Sequence, residues 1–480
     1  MLLTSRLIAA LALAQIAIAS LQIVPGATWT ASGTNQHVQA HGGGIIEIDS
    51  TYYWIGENKL NGSAFQSINC YSSKNLVEWT YVGELLSRQS SGDLGPNRVV
   101  ERPKVIYNEA TRRYVMWMHI DDSSYAEAKT GVATSSSVCG TYTYLGSFRP
   151  LGYQSRDMGL FKDDDGSAYL LTEDRPNGLR INRLTNDYTN VTSTTHLFPE
   201  HIEAPAMYKK NGVYFLFGSQ MVYVPIVSFY IALLTLIYSH QRQQVYHFYK
   251  PQRHLELLGK LRVHRIKHFQ FPDNLHPWSW QLSNVIPPFQ QILYESNPIR
   301  YMGDRWISTN LMASTYIWLP LTLDGTTATL KNEINWILPL QGSWTVGPAE
   351  TTPEAESSTS VLSNGAKVLS CSGCSGSKSV GWIGGPSDGT LQIVGVESSA
   401  STTSTIRVKY ENGDSSQRYA TVSVNGKAQV LAFLPSGGGN TPASSTLHVE
   451  LESGSANTVT FSGYGDGYGP DIDRLMVPDT

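Results

Sequence analysis

Short runs of apolar and aromatic residues, each preceded by turn residues, recur through the first half of the chain. Tyr52-Tyr53-Trp54-Ile55, Tyr114-Val115-Met116-Trp117, Ala168-Tyr169-Leu170-Leu171 and Val213-Tyr214-Phe215-Leu216 follow turns that carry Asp-Ser, Thr-Arg-Arg, Asp-Asp-Gly and Lys-Asn-Gly. Such spacing suits strands of hairpins. A fifth candidate is Arg300-Tyr301-Met302, followed by Tyr316-Ile317-Trp318. Successive marker tyrosines are separated by 61, 55, 45 and 87 residues. Units of about 50 residues, each with several strands, predict propeller blades. The expected class is all-β: a five-bladed β-propeller followed by a second β-domain. The plainer alternative for the first part is an all-β domain with no true repeat.

The second domain begins where Pro, Glu, Ser and Thr become frequent, between Gly347 and Ser360. Thr405–Tyr410 and Tyr419–Val424 alternate apolar and polar residues, and Asn425-Gly426 is a strong hairpin turn. Leu447–Leu451 and Thr458–Phe461 read as further strands, and together they predict a β-sandwich. The expected organisation is a signal peptide over 1–19, a propeller over 20–347, a linker over 348–353 and a sandwich over 354–480.

Composition narrows the class. Of 480 residues, 41% are hydrophobic, which excludes global disorder. Only 15% are charged and the net charge is −4, so no basic surplus points to nucleic acid. Arg6, the apolar run Leu7–Ile18 and the Ala17-Ile18-Ala19 pattern predict a cleaved secretory signal, too short to span a bilayer. Secretion makes disulfides possible for the four cysteines. Cys371 and Cys374 are close neighbours in a Ser/Gly turn, which leaves Cys70 and Cys139 to pair. A C-x-x-C pair also suits redox or zinc chemistry, but no second pair or histidine cluster accompanies this one. Asn61 and Asn190 stand in glycosylation tripeptides.

A propeller holds ligands where its blades converge, so acids near strand ends are the candidates for chemistry. Glu101 lies in Val99-Val100-Glu101-Arg102-Pro103, Asp157 in Ser155-Arg156-Asp157, and Glu203 in Ile202-Glu203-Ala204-Pro205. Glu101 and Glu203 share the form β-branched residue, Glu, any residue, Pro, and proline fixes the backbone beside the acid. Convergent carboxylates suit glycoside hydrolysis, which needs an acid of raised pKa and a partner that tunes it or activates water. From spacing alone, three solvated surface acids is the simpler account. Asp163-Asp164-Asp165-Gly166 reads as a solvated turn, and His41 before three glycines as a weak pocket candidate.

The segments QAHGGGI, YYWIGE, VVERPKVIYN, SRDMGLFKDDDG, IEAPAMYKKNGVYFL and YMGDRW occur in that order and resemble glycoside hydrolase family 43, in particular its exo-β-1,3-galactanase (galactan 1,3-β-galactosidase) branch. The resemblance covers Gln22–Gln220 and resumes at Tyr301. It implies an inverting hydrolase with Glu203 as general acid, Asp157 as the carboxylate that tunes and orients it, and Glu101 as a sugar-binding acid. It places Gln39 and His41 at the substrate, where the wider family carries an Asp base and this branch does not. In the branch, a glutamine of a later S-Q-T motif handles the water. The tail resembles carbohydrate-binding module family 35, close to family 6, through EAE at Glu354–Glu356, CSGCSGSKSVGWIGG, YENGD, RYATVSVNG and DIDRLMV. That resemblance implies a structural Ca²⁺ held by Glu354, Glu356 and Asp473, with no cofactor for catalysis. It sets Trp382, Asn412 and Asp471 near a sugar. The implied partner is a plant cell-wall or arabinogalactan polysaccharide, with neither nucleic acid nor membrane, bound by a secreted monomer.

One stretch departs from this style. Between Met221 and Asn297 there is a single glycine, Gly259, and six of the twelve histidines lie between His240 and His276. Val222–Ser239 is nearly all apolar, and Arg242, Lys250, Arg253, Lys260, Arg262, Arg265 and Lys267 follow. Taken literally, that is a membrane helix with a positive flank. A different account fits the family pattern. Codons permitted for Lys250–Pro277, read one nucleotide later, can encode SLSGTWSSWGNFASTESNTFNSQTTYIL, which resembles the galactanase branch, including its S-Q-T-T-Y segment. On this account 221–299 contains translated intron and frame-shifted sequence, the frame returns before Tyr301, and the catalytic glutamine is lost over Pro272 and Asp273. The fourth and fifth blades are then expected to be disrupted. Two other functions stay open: a non-catalytic sugar-binding protein, and a different family 43 activity on arabinosides or xylosides.

Overall fold

The aromatic runs form the inner ladders of successive four-stranded antiparallel sheets in the computed structural model, which describes residues 21–220, 228–236, 261–265, 279–285, 299–339, 343–437 and 441–479. The signal peptide and the shifted-frame glutamine lie outside the described residues. Blade one runs from His41 to Ser87, blade two from Arg98 to Phe148, blade three from Met158 to Phe198, blade four from Ile202 to Arg265 and blade five from Ser279 to Leu330. Thr51–Glu57, Arg113–Asp122, Ala168–Asp174 and Val213–Gln220 are the second strands of their blades. In blade five the two aromatic runs fall in the second and third strands, Ile299–Trp306 and Thr315–Asp324. The first strands of adjacent blades contact one another around a closed ring.

The glycine-poor stretch does not remove strands from the described backbone. Ser228–Leu236 pairs with Val213–Gln220 on one side and Leu261–Arg265 on the other, and Ser279–Val285 opens blade five. The expected loss of strands is thus corrected at the level of the backbone, because apolar β-branched and aromatic residues pair as readily in a sheet as they pack in a helix. The same pairing removes Ser228–Leu236 from a membrane helix. Among the described residues, no helix is long and apolar enough to cross a membrane.

An aromatic cluster closes the ring between the first and last blades. Trp54 of blade one packs on Tyr316 and Trp318 of blade five, with centroids 4.4 and 4.8 Å apart, and Trp29 of the N-terminal segment lies 4.9 Å from Trp318. These rings are buried. Offset and edge-on contacts of this kind add about 0.5–1.5 kcal/mol per pair beyond area burial. The Cys70–Cys139 disulfide ties blade one to blade two.

The tail is a two-sheet sandwich. One sheet orders Lys367–Ser370, Lys378–Gly381, Asp471–Pro478, Thr402–Glu411 and Ala443–Leu451; the other orders Val361–Ser363, Thr390–Ser398, Gly454–Ser462, Arg418–Val424 and Lys427–Phe433. Tyr410, Phe433, Phe461, Leu391 and Leu475 fill the core between them. Asn425 and Gly426 both adopt positive φ, +50° and +84°, as the predicted two-residue hairpin turn requires. The linker expected over 348–353 is corrected: Glu350–Thr351 pairs with Asp471–Pro478, and Arg407 Nε donates to Glu350 Oε1 at 2.8 Å. The N-terminal segment also binds the sandwich. Thr28 N donates to Ser444 O at 2.8 Å, and the Thr28 hydroxyl meets Tyr410 OH at 3.0 Å.

Candidate active site

The acid-x-Pro motif has a local cause. In blade two, Glu101 faces His119 and Lys104 faces Trp117, so Arg102 and Pro103 oppose one residue: a β-bulge. Blade four repeats this at Ala204 and Pro205, and blade one at Gly42 and Gly43. Proline lacks a donor for the ladder and is tolerated where a bulge interrupts it. The residue before each proline, and Gly42 in blade one, turns left-handed, with φ of +55°, +50° and +59° at Arg102, Ala204 and Gly42. Such a conformation strains a non-glycine residue by roughly 1–3 kcal/mol.

Carboxylates from neighbouring blades hold all three bulges. Gly42 N donates to Asp304 Oδ2 at 3.1 Å, Arg102 N to Glu57 Oε1 at 2.8 Å, and Ala204 N to Asp157 Oδ2 at 2.9 Å. Each latch joins a blade to the one before it, and the Asp304 latch closes blade five onto blade one. Backbone kink and acid placement are therefore one device. The bulge re-aims the strand, and the neighbouring carboxylate fixes its amide.

Glu101, Asp157 and Glu203 are brought together on this ring. Their side chains keep 20%, 13% and 20% exposure, so they face an opening rather than the core. Arg102 links two of their surroundings: its guanidinium meets Asp157 Oδ2 at 2.9 Å while its amide holds Glu57. Glu101 accepts from Tyr125 OH at 2.9 Å and pairs with Lys59 and with His119, each at 3.5 Å. Lys59 is itself buried against Glu57 at 2.7 Å, and His119 Nε2 lies 2.9 Å from Asp121. Burial alone would raise Glu101, but Lys59, His119 and Arg102 outweigh it and hold its carboxyl well below the usual range. His119 moves the other way, up to about 9: burial opposes its charge, and Asp121 and Glu101 overcome that.

Glu203 differs. Burial first, then the Asp157 and Glu173 carboxylates, push it up to about 7 against the pull of Arg102 and Arg175. Glu101 and Glu203 on one ring thus carry different proton affinities, and the pattern separates a group that holds a proton near neutrality from one that does not. Sequence reasoning found Glu101, Asp157 and Glu203 but missed Glu57, Arg102, Tyr125, Glu173, Arg175 and Asp304. Glu57 and Asp304 sit inside segments that carried the resemblance, YYWIGE and YMGDRW; nothing in the local pattern distinguishes Glu173 or Arg175.

The other candidates fall in varied places. Gln39 is buried and its Oε1 accepts the Lys59 amide at 3.0 Å. His41 is fully buried, stacked on Tyr316 with centroids 4.9 Å apart, its Nδ1 3.2 Å from Asp304. Both belong to the layer that supports the acids, which corrects their expected contact with substrate. In the sandwich, Asn412 is also a correction. It is fully buried, its amide donates to Ser416 O and Phe433 O, and its Oδ1 accepts the Asp414 amide, so it pins a turn. Trp382 is 46% exposed at φ +61°, with Tyr468 edge-on at 5.4 Å and Lys367 Nζ 4.4 Å from its ring. Asp471 lies beneath it: a Cβ at Gly381 would come within 2.4 Å of Asp471 Oδ1, and burial raises this carboxyl.

Cys371 and Cys374 form the expected disulfide. Together with Glu411 their ligand atoms lie within 4.8 Å of one another, but bonded sulfurs supply no thiolate for a metal. Glu354, Glu356 and Asp473 are less tightly gathered. All three nevertheless approach the Ser375–Gly376 loop: Ser375 Oγ donates to Glu354 Oε1 at 2.6 Å, Ser375 N donates to Asp473 Oδ1 at 2.9 Å, and a Cβ at Gly376 would lie 2.9 Å from Glu356 Oε1. The remaining oxygens, Glu354 Oε2, Glu356 Oε2 and Asp473 Oδ2, are buried without a hydrogen-bond partner, and Arg474 Nη1 comes no nearer than 3.6 Å to Asp473.

Residues 40–223 match the profile of glycosyl hydrolases family 43, and residues 390–477 match one described as the CBM13 domain of alpha-galactosidase. The second profile carries a different module number from the family 35 expectation. An exo-β-1,3-galactanase from Phanerochaete chrysosporium, solved with β-1,3-galactotriose, is 35% identical with a TM-score of 0.60, over 95% of this chain and 99% of that one. A protein from Bifidobacterium bifidum described as an exo-β-1,3-galactanase is 27% identical with a TM-score of 0.53, over 65% of this chain and 97% of its own. A xylan 1,3-β-xylosidase from Vibrio sp is 26% identical over 133 residues, which span 24% of that protein.

Proposed function

The chain belongs to glycosyl hydrolases family 43, and from that premise we propose that it is a secreted, exo-acting hydrolase that releases galactose from β-1,3-galactan, the backbone of arabinogalactans, with inversion at the anomeric carbon. The observation that carries the mechanism is Glu203, raised to about 7 on a bulge whose amide is held by Asp157. A carboxyl protonated near neutrality can give its proton to the leaving glycosidic oxygen as the bond breaks. Asp157 orients the segment that bears this acid and raises its proton affinity. Glu101 remains ionised, and its Tyr125 and Lys59 partners present a fixed charged edge to a sugar hydroxyl. The choice of β-1,3-galactan is supported by the 35% identical exo-β-1,3-galactanase solved with β-1,3-galactotriose.

Water handling is assigned to no described residue. Gln39 occupies the region where the wider family carries an Asp base, but it is buried and its amide oxygen accepts the Lys59 N–H. Product analysis on β-1,3-galactan, arabinan and xylan tests the proposal: galactose from the first is expected, and release only from arabinan or xylan would replace it. A second reading, favoured by the glycine-poor stretch, is that this polypeptide is an inactive mis-spliced form of an active enzyme. Sequencing the mature transcript and assaying both products would decide it; equal activity of the two would refute it.

The sandwich is proposed to bind polysaccharide through the exposed Trp382, with Tyr468 and Asp471 beside it, since a ring face stacks on a pyranose while polar groups fix its hydroxyls. Its acids fit a hard cation. Three buried carboxylate oxygens without a hydrogen-bond partner match the oxygen ligands that Ca²⁺ takes. Glu354, Glu356 and Asp473 would hold it, drawn inward from their present spacing, and the ion would supply structural cross-linking of the sandwich's two ends.

A further inference from the structure

Glu203 does not meet its neighbours alone. Arg175 donates from Nη2 to Glu203 Oε1 at 2.8 Å and from Nε to Glu173 Oε1 at 2.6 Å, spanning the two carboxylates. Glu173 is buried, and its Oε2 has no hydrogen-bond partner. Its backbone is paired with the strand of the third acid: Glu173 N donates to Asp157 O at 2.9 Å, and Arg156 N donates to Glu173 O at 3.0 Å. Asp157, Glu173 and Glu203 therefore share one locality with the guanidiniums of Arg102 and Arg175, and Arg156, paired with Asp121 at 3.3 Å, also acts on Glu173. Were all three acids ionised, the repulsion of Asp157 and Glu173 on Glu203 would outweigh the pull of Arg102 and Arg175 in a partly buried site. A single proton shared between Glu203 and Glu173 relieves that repulsion.

The turn that carries Arg175 is stiff, although the side chain is 45% exposed. Arg175 follows Asp174 at the end of its strand and precedes Pro176. Asp174 is buried, its carbonyl accepts the Asn177 amide at 2.8 Å, and its Oδ2 accepts both Asn177 Nδ2 at 2.8 Å and Arg180 Nε at 2.6 Å. The Arg180 guanidinium lies 3.4 Å above the Tyr153 ring. Together these groups fix the base from which Arg175 reaches.

We propose that Arg175, held by Glu173, is a positioning residue that aims the Glu203 carboxyl and, with Glu173, decides which of the two acids carries the shared proton. The proposal rests on Glu203 being the general acid. The groups facing Glu203 are Asp157, Glu173, Arg102 and Arg175, and the signs follow from their charges. Removing the negative charge of Glu173 lets Glu203 ionise at lower pH. Removing the positive charge of Arg175 makes it ionise at higher pH.

The test uses the full chain with Glu173→Gln, Arg175→Ala, Arg175→Lys and Glu203→Gln. For Glu173→Gln the alkaline limb of kcat/KM should move down by roughly 1 pH unit, and for Arg175→Ala it should move up by a similar amount. In Arg175→Ala kcat should fall about 10-fold or more with KM little changed, as for an interaction made chiefly in the transition state. Arg175→Lys should return the limb towards its original pH without restoring kcat, because one ammonium does not span both carboxylates in the fork geometry. Limbs that stay in place, or move in the same direction in both single variants, overturn the proposal. A ¹³C-carboxyl titration of Glu203 in the same proteins reads the same order without turnover. Glu203→Gln separates the two levels: full activity in that variant rejects the general acid itself, whatever Arg175 does.

Discussion

The chain carries two clusters of three acids, and they are built on opposite terms. In the propeller, Glu101, Asp157 and Glu203 are surrounded by Lys59, Arg102, His119 and Arg175, and the Ala204 bulge amide donates to Asp157. In the sandwich, Glu354, Glu356 and Asp473 leave three buried oxygens without a partner, and burial together with the other two acids raises Glu356. Surrounding cations in an open site set the proton affinities of Glu101 and Glu203 apart. Buried oxygens that no hydrogen-bond donor reaches suit the cation proposed for the sandwich. The two trios differ in how closely cations approach them.

Neutralising one acid in each cluster tests that difference. Glu203→Gln should lower kcat by about 100- to 10,000-fold, the range for loss of a general acid. The same substitution should leave the thermal midpoint at pH 8 unchanged or higher. A carboxyl raised in the fold keeps its proton between the unfolded value and about 7, so folded stability falls as pH rises through that window, and glutamine escapes the cost. A midpoint several degrees lower would show that Glu203 is structural.

Asp157→Asn should cost activity about 100-fold and also destabilise, since an amide holds Arg102 and the Ala204 amide less well than a carboxylate does. Asp473→Asn should do the reverse in the sandwich. In chelator it should melt at or above the unmodified protein, because like charges are relieved; in calcium it should lose the gain the unmodified protein shows. That gain is about 2.7 kcal/mol at 100-fold excess over Kd, or roughly 5–10 °C for a domain of this size. Calorimetry with and without calcium checks both, and no calcium-dependent shift in the unmodified protein would reject the cation.

The smallest expected effect concerns pH. Because Glu203 titrates near 7 while Glu101 stays ionised far below, kcat/KM should hold from mildly acidic pH and fall about 10-fold per unit above neutrality. Measured profiles with a limb near 4.5 would mean that the surrounding carboxylates do not act on Glu203.

Much of the architecture was legible because it rests on local rules. Alternation and turn chemistry marked the blades, Asn425-Gly426 marked its hairpin, and cysteine spacing marked both disulfides. The Glu-x-Pro motif was visible as well, but not its meaning. Only the register of the sheets shows that Pro103 and Pro205 sit in bulges. The assignments that moved, Gln39, His41, Asn412 and the linker, share one cause. Each is polar and near a motif, and whether such a residue faces a sugar or satisfies a buried backbone group depends on the neighbours that fold against it.

By itself the sequence determined the strands, the division into propeller and sandwich, and the identity of the acids, since hydrophobic period, turn residues and short motifs act within a few residues of themselves. Tertiary structure alone decided what surrounds the acids. Asp304, Glu57 and Asp157 latch bulges in blades other than their own, and Glu203 meets Arg175 28 residues away in sequence. Proton affinity is set by charge and burial within a few ångströms in space, and only the closed ring of blades fixes those distances.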